Sequence, residues 1–584
     1  MISQPDLLFR KSIENVLEEE NLQLSHVADE KARDIFSKAK KEDYIEQLND
    51  DLIRGFKPNV PTFQPISFPK DLGLDVLVRD FLRPKYSSPF LCYALARAPI
   101  DIPTIMYRWE ILDELQENAG KIGQLDQIAN QLANINALMN ERSRKLWFRS
   151  VKEMLVPAAI KVLEIDLAIL RQYVESINAL EHVLKNSNSR GLASVHEYAT
   201  RVQKTEEFKL ISEMVDNYFN CRYVELGVTI NASEEVEKSD YLAVGQNRLD
   251  RRLLFKTLAK IKGHGLDSIL DNEIVMSYKK LLALAFDKLV DQAAGQVKNT
   301  LGLVGDIEFY IGAVRFKEIL TSNNLPAQRP EFSAMEERKH SIIDMHHIMM
   351  EYDLNSFSNK LTVYGKIVPN SFHVDPGSNI IMVTGPNNGG KTRYSTGIGL
   401  VFVLGQSGYY VPAISAKLSI VDNIFTHFVS GDDADNKRGR WVDEVTRINK
   451  NLAGMTPYSL SLIDDFGSGT NYLEARVPAL NVIYTHYRLG TALLMNSHLH
   501  QLAEDMENGN FPTASNWQVQ VEDNQGKIKY NFKVVPGRAG RSFAQNVAEQ
   551  HGLSKDGADR MIAKRIEKGE LPIALIKPAF ELKY

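Results

Sequence analysis

Apolar residues recur at two different periods along this chain, and the change from one to the other divides it. From about residue 66 to 330 they fall at helical spacing, as in Ile105, Trp109, Leu112 and Leu115, or in Val162, Leu167, Leu170 and Val174. A longer helical pattern runs past Leu281, Leu284, Leu289 and Val297 and on from Phe309 to Leu320, with Gly302 and Gly305 as the expected joint. One β-branched stretch interrupts the helices: Cys221 to Asn231, a polar break through Glu237, then Tyr241 to Val244, which predicts a small strand pair. Beyond Pro330 strand-like runs alternate with helical ones, the sign of a parallel sheet.

The pattern therefore predicts an α + α/β chain. A charged helical arm covers 1–65 and is closed by Pro58, Pro61 and Pro65. A helical region over 66–335 carries the strand-containing insert near 221–244. An α/β domain with a mostly parallel sheet spans 336–541, and a helical segment closes the chain over 542–584. Residues 394–416 hold no Asp, Glu, Lys, Arg or His, a length that could span a bilayer. Their Gly, Ser and Tyr content, Gln406 and Pro412 favour a buried helix and the next strand instead, so no membrane partner is expected.

Composition adds two exclusions. At 44% hydrophobic and 24% charged the chain is of ordinary globular type, and its formal net charge of -5 argues against non-specific coating of nucleic acid. Any such contact must come from a local patch, for which residues 248–264 are the candidate. Arg248, Arg251, Arg252, Lys256, Lys260 and Lys262 stand there against the single acid Asp250. Cys92 and Cys221 are the only cysteines and have no metal-type spacing. With an N-terminus lacking a signal-type apolar core, this points to a reducing, cytoplasmic setting.

The chemistry is concentrated in the α/β part. The apolar run Ile380 to Thr384 breaks into Gly385, Pro386, Asn387, Asn388, Gly389, Gly390, Lys391 and Thr392, which fits the phosphate-loop pattern G-x-x-x-x-G-K-[ST]. Glycines let backbone N–H groups curl around phosphate oxygens, and the following helix directs its positive dipole end at the same anion. Lys391 would reach the β- and γ-phosphates, and the Thr392 hydroxyl would ligate Mg²⁺. A second strand from Ser459 delivers Asp464 for Mg²⁺ and Asp465 as general base, and a third from Thr491 delivers His498.

TGPNNGGKT at 384–392, GYYVPA at 408–413, SLSLIDDFGSGTN at 459–471 and SHLHQLA at 497–503 stand in the order and spacing of the MutS family of DNA mismatch-repair ATPases, which this chain resembles. IVPN at 367–370 is similar to that family's entry into its ATPase strand. The resemblance is strong over about 340–560 and rests on helical layout alone over 66–330, where it implies core and lever helices.

It implies an ABC-type ATPase that uses ATP and Mg²⁺ and works as a homodimer on DNA, read by backbone and shape rather than sequence, with the 542–584 segment, Ser542 through about Ile566 above all, as the helices that lock the dimer. Carried over, Asp465 and His498 are catalytic, and residues Asn387 to Thr392 cradle phosphate. Ile367 takes the place where the family offers an aromatic to the base, and Gly467 to Thr470, Ser468 included, face the second subunit.

The departures are as informative. The family's glutamate after the Mg²⁺ aspartate is here the shorter Asp465, so slow hydrolysis is expected. Where the family offers a serine in trans, Gly439-Arg440-Trp441 stands, which makes Arg438 and Arg440 candidates to reach a partner's γ-phosphate. Phe316-Lys317-Glu318 is the sole Phe-x-Glu and sits in a helical run, so it does not read as a mismatch wedge. The expected branch is one without the N-terminal mismatch-recognition domain and the C-terminal Smr domain. The alternative from another class is a nucleotide-gated scaffold that hardly hydrolyses ATP and holds a protein or ribonucleoprotein.

Overall fold

Long amphipathic stripes have to bury one face, and in the computed structural model they do so in two compact units. It describes residues 48–50, 52–54, 60–65, 67–147, 150–220, 223–230, 236–245, 267–350, 368–386, 389–428, 439–498, 500–508, 511–524, 527–537 and 554–571. One unit is built chiefly from Arg83–Leu91 and Met106–Val314; the other comprises Val60–Leu82, Cys92–Ile105 and Arg315–Tyr584.

The first unit is helical. After α1 (Ser88–Leu95) and α2 (Ile102–Glu117) come α3 (Ala119–Leu146), α4 (Val156–Leu184), α5 (Arg190–Gln203), α6 (Glu206–Asn220), α7 (Asp267–Leu301) and α8 (Leu303–Ser322). The Asn118 side chain caps α3 by accepting the Lys121 N–H, and Pro157 opens α4, where its missing donor costs nothing. Leu125, Ile128 and Leu132 of α3 are buried, as are Val162, Leu163, Ile169 and Leu170 of α4, and α4 packs against both α3 and α7. Of the two glycines of the expected joint, Gly302 separates α7 from α8, whereas Gly305 lies within α8. The β-branched stretch forms the antiparallel pair β1 (Tyr223–Ile230) and β2 (Val236–Gly245).

The second unit holds two sheets. A six-stranded sheet has the order β12-β11-β6-β10-β9-β8, made of β6 (Ile380–Thr384), β8 (Ile424–His427), β9 (Leu460–Asp464), β10 (Ala492–Ser497), β11 (Ala514–Asn524) and β12 (Lys527–Pro536). Every pairing in it is parallel except β11 with β12. Strands β6, β9 and β10 are buried at every position, which is why they read as continuous apolar runs rather than alternating ones. A second sheet joins β3 (Glu331–Ser333), β7 (Ser415–Ser419), β4 (His340–Met345) and β5 (Asn370–Val374) in that order.

The uncharged stretch becomes α9 (Lys391–Gln406), buried from Tyr394 to Gln406, followed by β7. Among the described residues no helix is long and apolar enough to cross a membrane. The longer remaining helices among the described residues are α10 (Arg440–Gly454), α11 (Tyr472–Leu489), α12 (His500–Asn508) and α13 (Lys555–Glu567).

Residues far earlier in the chain complete this unit. Ser67 Oγ donates to the Thr426 carbonyl at 2.9 Å, and Asn423 Nδ2 donates to the Gln64 carbonyl at 3.0 Å. Asp71, at the end of a short helix from Phe68, accepts from Thr426 Oγ1 at 2.6 Å and from Arg447 of α10.

Candidate nucleotide site

Parallel register sets the site. Thr384 of β6 lies beside Ser497 of β10, and Asn496 of β10 beside Asp464 of β9, so three adjacent strands end together and release their polar residues at one edge. The carboxyl ends of parallel strands are where such sheets bind ligands, because the connecting loops and helix N-termini gather there.

The turn after β6 enters α9 through Gly390, whose φ of 90° is a left-handed conformation suited to glycine. Lys391 is buried and its Nζ donates to the carbonyls of Gly385 and Pro386 at 2.9 and 3.0 Å. Burial pulls its pKa below the ordinary lysine value, against the opposing charges of Asp465 and Asp464. The ammonium is thus held over the turn by two backbone oxygens that phosphate oxygens can replace.

Thr392 Oγ1 donates to Asp464 Oδ2 at 2.7 Å, while Asp464 Oδ1 accepts Asn496 Nδ2 at the same distance. Burial raises the Asp464 pKa, and these two hydrogen bonds oppose it. The converging Thr392 hydroxyl and Asp464 carboxylate fit a hard cation such as Mg²⁺, which takes one or two protein oxygens and leaves its other positions to phosphate and water. Among the described residues no group of three or more His, Cys, Asp or Glu could form an all-protein cage.

Asp465 follows with φ of 57°, and its N–H donates to the Asn496 carbonyl at 3.1 Å. Its Oδ1 lies 2.5 Å from His498 Nδ1. Burial would raise the Asp465 pKa, but the His498 hydrogen bond and charge, with Lys391, outweigh it and hold the carboxylate below its ordinary value.

A residue that sequence reasoning passed over joins them. Phe532 sits in a bulge of β12, where the ladder with β11 slips between Val519 and Val521, and it has φ of 56°. Its ring edge is 3.4 Å from the position a Cβ would occupy on Gly390, and it is 42% exposed, so an aromatic face stands open beside the phosphate turn. Asn370 holds it there, donating from Nδ2 to the Phe532 carbonyl at 3.0 Å and accepting the Val534 N–H at 2.8 Å. The only signal in the sequence is the aromatic pair Tyr530 and Phe532 two positions apart; the bulge that presents Phe532 is a property of the sheet edge.

Gly385, Pro386, Gly389, Gly390, Lys391, Thr392, Asp464, Asp465 and His498 are therefore all borne by the ends of β6, β9 and β10 and the start of α9. Asn387, Asn388, Ile367, Arg438, Arg248, Arg251, Arg252 and Lys256 lie outside the described residues. Of the expected trans residues, Arg440 and Ser468 contact each other within one chain, Arg440 Nη2 donating to Ser468 Oγ at 3.0 Å.

The chain is similar to known proteins over this region. Residues 381–565 match the family described as MutS domain V. The DNA mismatch repair protein MutS of Caldicellulosiruptor bescii is 23% identical over 520 residues, 82% of this chain and 58% of that protein. Those of Lactobacillus acidophilus and Shouchella clausii are each 32% identical over shorter stretches, 38% and 36% of this chain and 26% and 24% of the relatives. The chain thus spans little more than half the length of the bacterial protein that it matches most extensively among these three.

Proposed function

We propose, from the premise that this chain belongs to the MutS family, that it binds and hydrolyses ATP with Mg²⁺ and couples that cycle to DNA in mismatch repair or DNA-structure processing. The observation that carries the reading is the convergence of Lys391, Thr392, Asp464 and the Asp465–His498 pair at one sheet edge. In this reading Lys391 and the turn hold the triphosphate, and Phe532 stacks on the base. Thr392 and Asp464 hold the metal, which when bound neutralises charge building on the phosphate oxygens. Asp465, aligned by His498, accepts the proton of the attacking water.

The working form is a homodimer. In support, α11 leaves the turn after Asp465 with Leu473, Val477 and Tyr484 exposed at 79%, 60% and 49%. Leu473 and Val477 are one helical turn apart, an apolar ribbon of the kind a second copy covers. Arg438, Arg440 and Ser468 belong to the same proposal as residues facing the second copy's nucleotide. DNA is held at its backbone by Arg248, Arg251, Arg252 and Lys256, in the cytoplasm.

The test is ATP turnover with homoduplex, mismatched and branched DNA across a salt series, with sedimentation in the presence and absence of nucleotide. DNA-responsive turnover, affinity that weakens steeply with salt, and nucleotide-dependent dimers are expected. Tight Lys391-dependent ATP binding with no turnover on any DNA would sink the reading.

The base platform has its own test. Phe532→Ala is expected to weaken ATP binding by about tenfold, the worth of roughly one stacked base, while leaving the affinity for inorganic triphosphate unchanged. Equal losses for both ligands would remove Phe532 from the base site.

A further inference from the structure

Asp465 is followed by a turn that is braced by a helix as well as by its own hydrogen bonds. Ser468 N–H donates to the Asp465 carbonyl at 3.2 Å, and Thr470 N–H to the Gly467 carbonyl at 3.2 Å. Gly467, at φ of 91°, directs its N–H away to Glu444 Oε2 of α10 at 2.9 Å. Glu444 is 6% exposed, and its other oxygen accepts Ser468 Oγ at 3.3 Å. Arg440 closes the group, with Nη2 on Ser468 Oγ and Nε 3.5 Å from Glu444 Oε1.

Two further contacts tie the same surfaces. The Trp441 ring packs on Phe466 with centroids 5.4 Å apart. A Cβ on Gly469 would lie 2.9 Å from Glu444 Oε1 and 3.1 Å from Trp441 N, so helix and turn touch with no room between them. One turn further along α10, Arg447 is anchored by Asp71 and the Phe428 carbonyl, and Asn451 by the Thr426 carbonyl. The helix is thus fixed at its middle and grips the turn with its first residues.

A buried carboxylate is costly unless hydrogen bonds satisfy it. Glu444 finds its partners in the turn and Arg440, which is an expensive arrangement for a residue that only fills space. We propose that Glu444 is a positioning residue for hydrolysis: by holding the Gly467 N–H it keeps the left-handed Asp465 in register with His498 and Lys391. Aspartate is one methylene shorter than glutamate, so its carboxylate has little reach to correct a displaced backbone, and the brace matters more here than it would for a longer base. The proposal rests on the ATPase reading above.

The experiment compares the full-length chain with Glu444→Ala and Glu444→Gln by single-turnover hydrolysis, equilibrium nucleotide binding and amide exchange of the 465–470 segment. Glu444→Ala is expected to slow hydrolysis by about tenfold or more, the scale of a small misplacement of a reacting group, with nucleotide affinity unchanged and exchange of 465–470 accelerated. Glu444→Gln keeps a carbonyl acceptor for Gly467 and is expected to recover most of the rate and the protection. A wild-type rate in Glu444→Ala, or affinity falling in parallel with rate, overturns the proposal. If the wild-type chain binds ATP through Lys391 but never hydrolyses it, the ATPase reading fails and, with it, a positioning role in hydrolysis. Exchange then decides the brace separately: unchanged protection in Glu444→Ala removes that too.

Discussion

ATP turnover in Lys391→Met is expected to fall by roughly 10²–10³-fold, the usual loss when a charge-stabilising donor is removed from a transferring phosphoryl group. Methionine keeps most of the side-chain volume in a buried position, so thermal unfolding of the variant should stay close to that of the parent. The charges that act on the Lys391 ammonium, Asp465 and Asp464, are both acidic. Without Lys391 those two carboxylates lose the ammonium charge that offsets them, and nucleotide binding should weaken along with turnover. Isothermal titration and single-turnover assays on the same preparation check both. Turnover that survives the substitution would mean that the site lies elsewhere.

Arg142→Ala should be the most destabilising of these substitutions to the fold, by about 3–5 kcal/mol above pH 7, where it leaves the buried, ionised Asp166 without its partner. Arg142 on α3 reaches Asp166 on α4 at 2.7 Å and Asp287 and Asp291 on α7 at 2.6 and 2.8 Å, so a single guanidinium joins three helices. Asp166 has a fully buried side chain, and burial pushes its pKa from 3.8 to about 7 even with Arg142 pulling it down. The folded chain therefore holds a proton on Asp166 between about pH 4 and 7 that the unfolded chain has released. By linkage this group's contribution to stability declines as pH rises through that window. Removing Arg142 should extend the decline above pH 7, and adding Asp166→Asn should restore much of the loss. Urea unfolding with exchange protection of α4 amides at pH 6 and 8 measures both; a variant as stable as the parent at each pH would contradict the assignment.

Much of the candidate site could be read in the chain itself because its residues are local to strand ends and one turn. A phosphate turn needs glycines, a lysine and a hydroxyl within one turn between a strand and a helix, and Gly385 to Thr392 supply them consecutively. Asp464, Asp465 and His498 were legible for the same reason, each standing at the end of an apolar run long enough to be a buried strand. The helix from Lys391, the strand pair near 221–244 and the joint at Gly302 likewise follow from spacing and β-branching over short windows.

What the tertiary structure alone decided involves pairs distant in sequence. Ser67 and Asp71 join a unit whose first sheet strand begins at Glu331, through hydrogen bonds to Thr426 and Arg447 that no periodicity encodes. Phe532 reaches Gly390 because a bulge re-aims an edge strand that Asn370 grips, and Glu444 reaches Gly467 because α10 crosses the turn that follows β9. Local sequence sets which backbone conformations and faces a segment favours, whereas these contacts depend on how separate segments pack once their apolar faces are buried together.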